Sequence, residues 1–166
     1  PSYMDPIGGF NAAAAVLTAL HHRDRTGEGQ HIEIAQVEAG MQFIGPALMA
    51  GEDVVPDGNH VAHMAPHNAY PTTGEDSWIA IAAQSDAAWQ TLAAAMGRPD
   101  LAADPAYATL PARKDNEAAL DALIAAWTAD KDRHALADEL QAAGVAASAV
   151  ETAADLARSE YLSRRG

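Results

Sequence analysis

The chain has 166 residues, 49% of them hydrophobic, a formal charge of -13 and no cysteine. That composition holds one globular domain, or one and a half, with apolar side chains enough for a core. The acidic excess sets it against nucleic acid or an anionic membrane surface as its main partner, and the lack of cysteine removes disulfides, thiolate catalysis and Cys-based zinc sites, which makes the cytoplasm the expected compartment.

No apolar stretch is long enough to cross a bilayer, and none has the basic, apolar, small order of a secretory signal. The opening Pro1-Ser2-Tyr3-Met4-Asp5 lacks an initiator Met and runs straight towards a helix, so a truncated or processed chain is expected.

Asp5-Pro6-Ile7-Gly8-Gly9 reads as the start of a helix, with Asp5 at the N-cap and Pro6 in the first turn, where each is favoured. Residues 10–22 are dense in Ala and Leu on every face and predict a mostly buried helix. It stops over 23–29, where Gly27 and Gly29 supply the left-handed conformations of a tight turn. Residues 31–35 alternate polar and apolar and predict a short strand, and 36–49 predict a second apolar helix.

From 51 to 71 the sequence turns rich in Gly, Pro, Asn, Asp and His without a period, which predicts a long loop. Residues 78–82 predict a strand, and Ser85 with Asp86 opens a helix that ends at Gly97. Leu120, Leu123, Ile124 and Trp127 recur at helical spacing, as do Leu136 and Leu140 ahead of Gly144. A last strand is expected over 145–150, and Thr152 begins a short helix. Trp78, Trp89 and Trp127 fall within apolar periods and are expected as core anchors.

The chemistry-bearing candidates are few. On its own, Asp5 before a proline is a structural cap, but a carboxylate at a helix N-terminus is also held ionised by the partial positive charge there, which suits a nucleophile. Gly8 and Gly9, without side chains, let a bulky ligand approach it. His60, His63 and His67 lack an acidic or sulfur ligand at matching spacing, and Pro66 breaks any helical register among them, so no metal site is expected. Gly27 and Gly29 form a lone G-x-G outside the strand-to-helix setting of a dinucleotide site and read as a turn.

Taken in order, Asp5-Pro6-Ile7-Gly8-Gly9, the Ala-rich helix, Arg25-Thr26-Gly27-Glu28-Gly29-Gln30-His31-Ile32-Glu33-Ile34 and Glu38-Ala39 resemble the signature region of class III CoA-transferases, which include formyl-CoA and carnitine CoA-transferases and the bile-acid-inducible F type. Further matches run through Ala65-Pro66-His67-Asn68-Ala69-Tyr70, Trp78-Ile79-Ala80-Ile81-Ala82, Gly97-Arg98-Pro99-Asp100-Leu101, Arg113 and Ala143-Gly144-Val145, over nearly the whole chain. The resemblance implies an α/β fold: the helical end of a large domain over 1–50, a linker over 51–70 and a small α/β domain over 71–166. It also implies that the CoA-binding half found at the N-terminus of such enzymes is missing here, so that the chain alone does not turn over.

By the same resemblance Asp5 is the nucleophile that attacks an acyl-CoA thioester, with Gly8, Gly9, His67 and Asn68 as substrate-binding residues and the His67-Asn68 loop as a lid. Acyl-CoA and a carboxylic acid are the implied substrates, with no permanently bound cofactor, and a homodimer or a partner subunit is implied. Two departures narrow this. The glycine-rich loop of formyl-CoA transferases reads His63-Met64-Ala65-Pro66-His67-Asn68 here, against formyl-CoA as donor, and the glutamate of α-methylacyl-CoA racemases is replaced by Gln84-Ser85, against racemisation. A non-catalytic subunit that acts only with a partner, and the racemase, stand as alternatives.

Overall fold

The computed structural model describes residues 3–51 and 58–165 and divides into two units, Pro1–Pro56 and Asp57–Gly166. Pro1, Ser2, Gly166 and residues 52–57 of the expected linker lie outside the described residues.

In the first unit, helix α1 spans Met4–Thr26. Tyr3 stands at its N-cap in a right-handed helical conformation, and its carbonyl accepts from Ile7 N at 3.2 Å, so Asp5 lies inside the first turn and not at the cap. Pro6 is tolerated there because first-turn N–H groups have no partner within the helix. The helix ends at Gly27, whose φ of 79° is left-handed and whose N–H reaches the Arg23 carbonyl.

No strand forms over 31–35. Alternation favours extended backbone, but a strand also needs a neighbour, and none pairs with this segment among the described residues. The helix expected over 36–49 is broken into α2 (Gln36–Met41), a 3-10 turn (Gln42–Ile44) and α3 (Gly45–Ala50). Pro46 has no N–H to give the Gln42 carbonyl, so an α-ladder cannot continue through this point.

Helices α1 and α2 meet at glycines: a Cβ on Gly8 would stand 2.6 Å from Gln36 Cγ, and one on Gly40 would collide with the Met4 thioether. Among the described residues of this unit only Gly8, Ala39 and Gly40 are buried, while Phe10 is 78% and Met49 89% exposed, with Leu17 and Phe43 also open. Leaving apolar surface wet forgoes about 25 cal/mol per Å². We therefore expect the isolated chain to self-associate, and α1 to exchange its amide hydrogens faster than the helices of the second unit. Sedimentation and hydrogen exchange check this, and a monomer with strong protection throughout α1 would refute it.

The second unit is built on three antiparallel strands, β1 (His67–Pro71), β2 (Trp78–Ala82) and β3 (Ala146–Ala149), in the order β1-β2-β3. Strand β1 lies in the stretch expected as loop. Its five residues are framed by prolines and carry no apolar alternation, and pairing with β2 is what makes it a strand. Tyr70 stands opposite Ile79, and Asn68 opposite Ile81. Tyr70, Ile79 and Ile81 are buried against α4 (Asp86–Ala95), α7 (Glu117–Thr128) and α8 (Arg133–Ala142), whose Trp89, Leu92, Leu120, Ile124 and Leu140 complete the core. Short helices α5 (Pro99–Ala103) and α6 (Leu110–Asp115) link α4 to α7, and α9 (Ala153–Arg158) and α10 (Glu160–Arg165) close the described chain.

Of the three tryptophans, Trp89 is fully buried and Trp127 packs partly against the core. Trp78 is on the opposite sheet face, 38% exposed, with its indole N–H given to Asp76 at 2.8 Å. Period two placed it in an apolar run, but the register turns Ile79 and Ile81 inward and therefore Trp78 outward.

Side-chain caps start α4, α8 and α9. Ser85 Oγ accepts from Ala88 N, Asp132 from His134 N and Ala135 N, and Thr152 forms a reciprocal capping box with Asp155. The Ala135 amide pulls the Asp132 carboxyl below its ordinary 3.8, and the Thr152 hydroxyl does the same for Asp155. A carboxylate whose folded value is depressed stabilises fully above the unfolded value and loses that contribution as pH falls through the folded one. The melting temperature should thus hold down to about pH 4 and decline below it. Thermal melts from pH 7 to pH 2.5 measure this, and Asp132→Asn should flatten the decline, since asparagine keeps a cap without titrating.

Candidate functional site

Asp5 is exposed in the first turn of α1, where the helix N-terminus favours a negative charge. The two glycines after it differ in use. Gly8 gives its missing side chain to the crossing of α2, whereas a Cβ on Gly9 would meet nothing within 4 Å, so the open approach beside Asp5 is at Gly9.

His67 and Asn68 are neighbours on β1 and so point to opposite faces of the sheet. His67 Nδ1 lies 2.6 Å from the Asn59 carbonyl, and since a carbonyl only accepts, Nδ1 carries the proton. Asn68 is held at both ends of its amide: Nδ2 donates to Asp121 Oδ2 at 2.9 Å, and Oδ1 accepts from Asn59 Nδ2 and from Ala69 N. Tyr70 donates to the other Asp121 oxygen at 2.6 Å. Burial, reinforced by the Asp121 carboxylate, pushes the Tyr70 phenol far above its ordinary value, so it stays a donor.

On the outer sheet face lies a concavity of about 460 Å³ with Ala69, Ala80, Ala82 and Ala146 on its floor and His67 and Gln141 on its flanks. No local pattern announces it: Asn59, Asp121 and Gln141 come from distant segments that only the folded sheet and α7 and α8 bring near β1 and β3.

The three spaced histidines take separate tasks. His60 pairs with Glu117 at 3.0 Å, His67 with the Asn59 carbonyl, and His63 is exposed. Burial pushes the Glu117 carboxyl up, but Lys114 at 2.6 Å and His60 outweigh it and hold it below the ordinary range. Among the described residues the one cluster with metal-like proximity is His134, Glu151 and Asp155. Asp155 Oδ2 there already accepts from Thr152 and from the Arg133 guanidinium, whose positive charge opposes a cation.

The fold is that of a known class of mixed α/β protein: a solved CaiB/BaiF family protein from Brucella suis superposes with a TM-score of 0.91 at 31% identity, covering 99% of this chain and 44% of that one. The sequence profile described as CoA-transferase family III matches residues 1–166. The chain belongs to CoA-transferase family III. It is similar to a succinyl-CoA–D-citramalate CoA-transferase of Chloroflexus aurantiacus, 37% identical over 163 residues that cover 92% of this chain and 39% of the relative. It is also 28% identical to the beta subunit of a succinyl-CoA–L-malate CoA-transferase of the same organism, covering 74% of this chain and 32% of that one. The chain thus spans less than half the length of the relatives it matches.

Among the described residues no helix is long and apolar enough to cross a membrane.

Proposed function

We propose that this chain serves the transfer of CoA from an acyl-CoA thioester to an acceptor carboxylic acid, with Asp5 as covalent nucleophile. The observation that carries the reading is Asp5 itself: an exposed carboxylate in the first turn of a long helix, at the head of the run that resembles the family's signature, with an open approach at Gly9.

The chemistry divides one hard exchange into four easier ones. The Asp5 carboxylate adds to the thioester carbonyl and expels CoA thiolate, leaving an acyl-aspartyl anhydride. The thiolate then attacks the aspartyl carbonyl, which releases the donor acid and forms an aspartyl-CoA thioester. An acceptor carboxylate attacks that thioester, giving a new anhydride and free thiolate. Attack of the thiolate on the acceptor carbonyl yields the new acyl-CoA and restores the Asp5 carboxylate. No permanently bound cofactor is needed. The names of the relatives make succinyl-CoA the first donor to test.

The large bare apolar surface of the first unit supports a homodimer or a partner subunit, and the alpha and beta subunits named among the relatives support the second form. The racemase reading is disfavoured by Gln84-Ser85 in place of a glutamate, with the Ser85 hydroxyl engaged in capping α4. Incubating the active enzyme with succinyl-CoA and quenching with hydroxylamine should leave a hydroxamate on Asp5, found by peptide mass. Turnover without any modification of Asp5 would exclude the covalent route.

A further inference from the structure

If Asp5 is the nucleophile, as read above, its side chain is an activated acyl group through most of each cycle, as an anhydride or as a CoA thioester. An aspartyl group so activated has one intramolecular hazard. The backbone nitrogen of the next residue can add to Cγ and close a five-membered ring through Cβ, Cα and the carbonyl carbon. The residue's own nitrogen would close a smaller, strained ring, and nitrogens further on would close larger, slower ones. When the next nitrogen carries hydrogen, the C–N bond forms, the C–S bond breaks and the proton leaves with the thiolate as CoA thiol. The product is a cyclic imide, and the nucleophile is lost.

Residue 6 is proline, whose nitrogen carries no hydrogen to release, so this ring cannot close to an imide. Helix stability does not account for a proline at this point. With Tyr3 at the N-cap, Met4 is the first helical position and Pro6 the third, whereas helices favour proline at the first. A proline also disfavours helical backbone in the residue before it, which here is Asp5. Nor does the helix guard Asp5 by itself. Ring closure needs residue 5 to swing out of its helical ψ, and the first turn resists this weakly: Tyr3 gives no side-chain cap, and the Ile7 N–H reaches the Tyr3 carbonyl across Asp5 at 3.2 Å. The first unit contains neither lysine nor cysteine, so its side chains offer no amine or thiol to attack the activated carbonyl.

We propose that Pro6 protects the transfer reaction. By placing a nitrogen without hydrogen next to Asp5, it keeps the aspartyl-CoA thioester from cyclising with loss of CoA thiol, and the anhydride from cyclising with loss of the carboxylic acid. Its role is to preserve the nucleophile over many turnovers, and it takes no part in the transfer steps themselves.

The test is exchange of isotope-labelled succinate into succinyl-CoA by the active enzyme and its Pro6→Gly and Pro6→Ala variants. Pro6 is exposed, so neither substitution opens a cavity. The parent should exchange at a constant rate. Both variants should begin to exchange and then decay to complete loss, Gly faster than Ala because glycine frees the backbone more. After an acid quench without hydroxylamine, the peptide that holds residue 5 should be lighter by one water in an amount matching the lost activity, and should open to isoaspartate on standing at neutral pH. Without succinyl-CoA no such peptide should form. A merely structural role for Pro6 would lower the initial rate or the melting temperature and produce neither decay nor imide. Variants that form the hydroxamate on Asp5 yet neither decay nor lose water would overturn the proposal and leave the transfer reading intact, as would imide formed equally without succinyl-CoA. A parent enzyme that turns over with no adduct on Asp5 would overturn both.

Discussion

Replacing Asp5 by Asn should lower CoA transfer in the active enzyme by on the order of 10⁴-fold or more, with substrate binding little changed, because the amide keeps the size of the side chain and loses the anion that forms the anhydride. Asp5 is exposed and lies within the first turn without a capping hydrogen bond, so neither Asn nor Ala creates a cavity or an orphaned donor. The cost to stability is limited to the favourable placement of a charge at a helix N-terminus, about 0.3–1 kcal/mol. Kinetics and folding therefore separate at this position: transfer should vanish while the thermal melt moves little. An Asp5→Asn enzyme with undiminished rate, shown by peptide mass not to have deamidated, would reject the nucleophile assignment.

The second large effect is expected at Arg113, which touches none of the candidate site. Its side chain is fully buried, yet it carries a charge. Nε donates to the Ala65 carbonyl at 2.6 Å, one Nη to the Tyr107 carbonyl at 3.0 Å and the other to Asp86 at 2.8 Å, and the guanidinium lies 5.8 Å from the ring centre of Trp89. One planar group thus ties the turn before β1, the loop between α5 and α6 and the start of α4 into a single core. Arg113→Ala would leave two carbonyls without donors in a dry site and a cavity beside Trp89, so we expect a loss of roughly 3–5 kcal/mol, a large share of a domain's stability. Lysine keeps the charge but cannot make three divergent bonds, so Arg113→Lys should fall between. Asp86→Ala removes only the half-exposed end of the pair and should cost about 1 kcal/mol. Urea unfolding of the three variants measures the order, and an Arg113→Ala variant as stable as the parent would refute it.

Arg113 also marks how far the sequence could be read. It stood in a matched position with nothing to announce burial, since its three partners lie six, 27 and 48 residues away. The signals that could be read were local. Ser85, Asp132 and Thr152 cap helices because short polar side chains satisfy first-turn N–H groups, and Gly27, Gly97 and Gly144 adopt positive φ because helices end cheaply where no Cβ is strained. The same locality explains the misreadings. Alternation over 31–35 suggested a strand but could not supply the neighbour that makes one, and β1 has almost no pattern and exists because β2 pairs with it.

By itself, then, the sequence determined the family, the mixed α/β class, the strand at 78–82, most helix ends and the candidate nucleophile, because these rest on residue order, on spacing and on capping chemistry within a few positions. Tertiary structure alone decided that Asp5 lies within the helix and not at its cap, that Gly8 is spent on the crossing of α2 while Gly9 stays open, that Trp78 faces outward, and that Asn59, Asn68 and Asp121 converge to fix the ring of His67. Each of these depends on which distant segment arrives alongside, and that is set by register and helix packing, which no local pattern encodes.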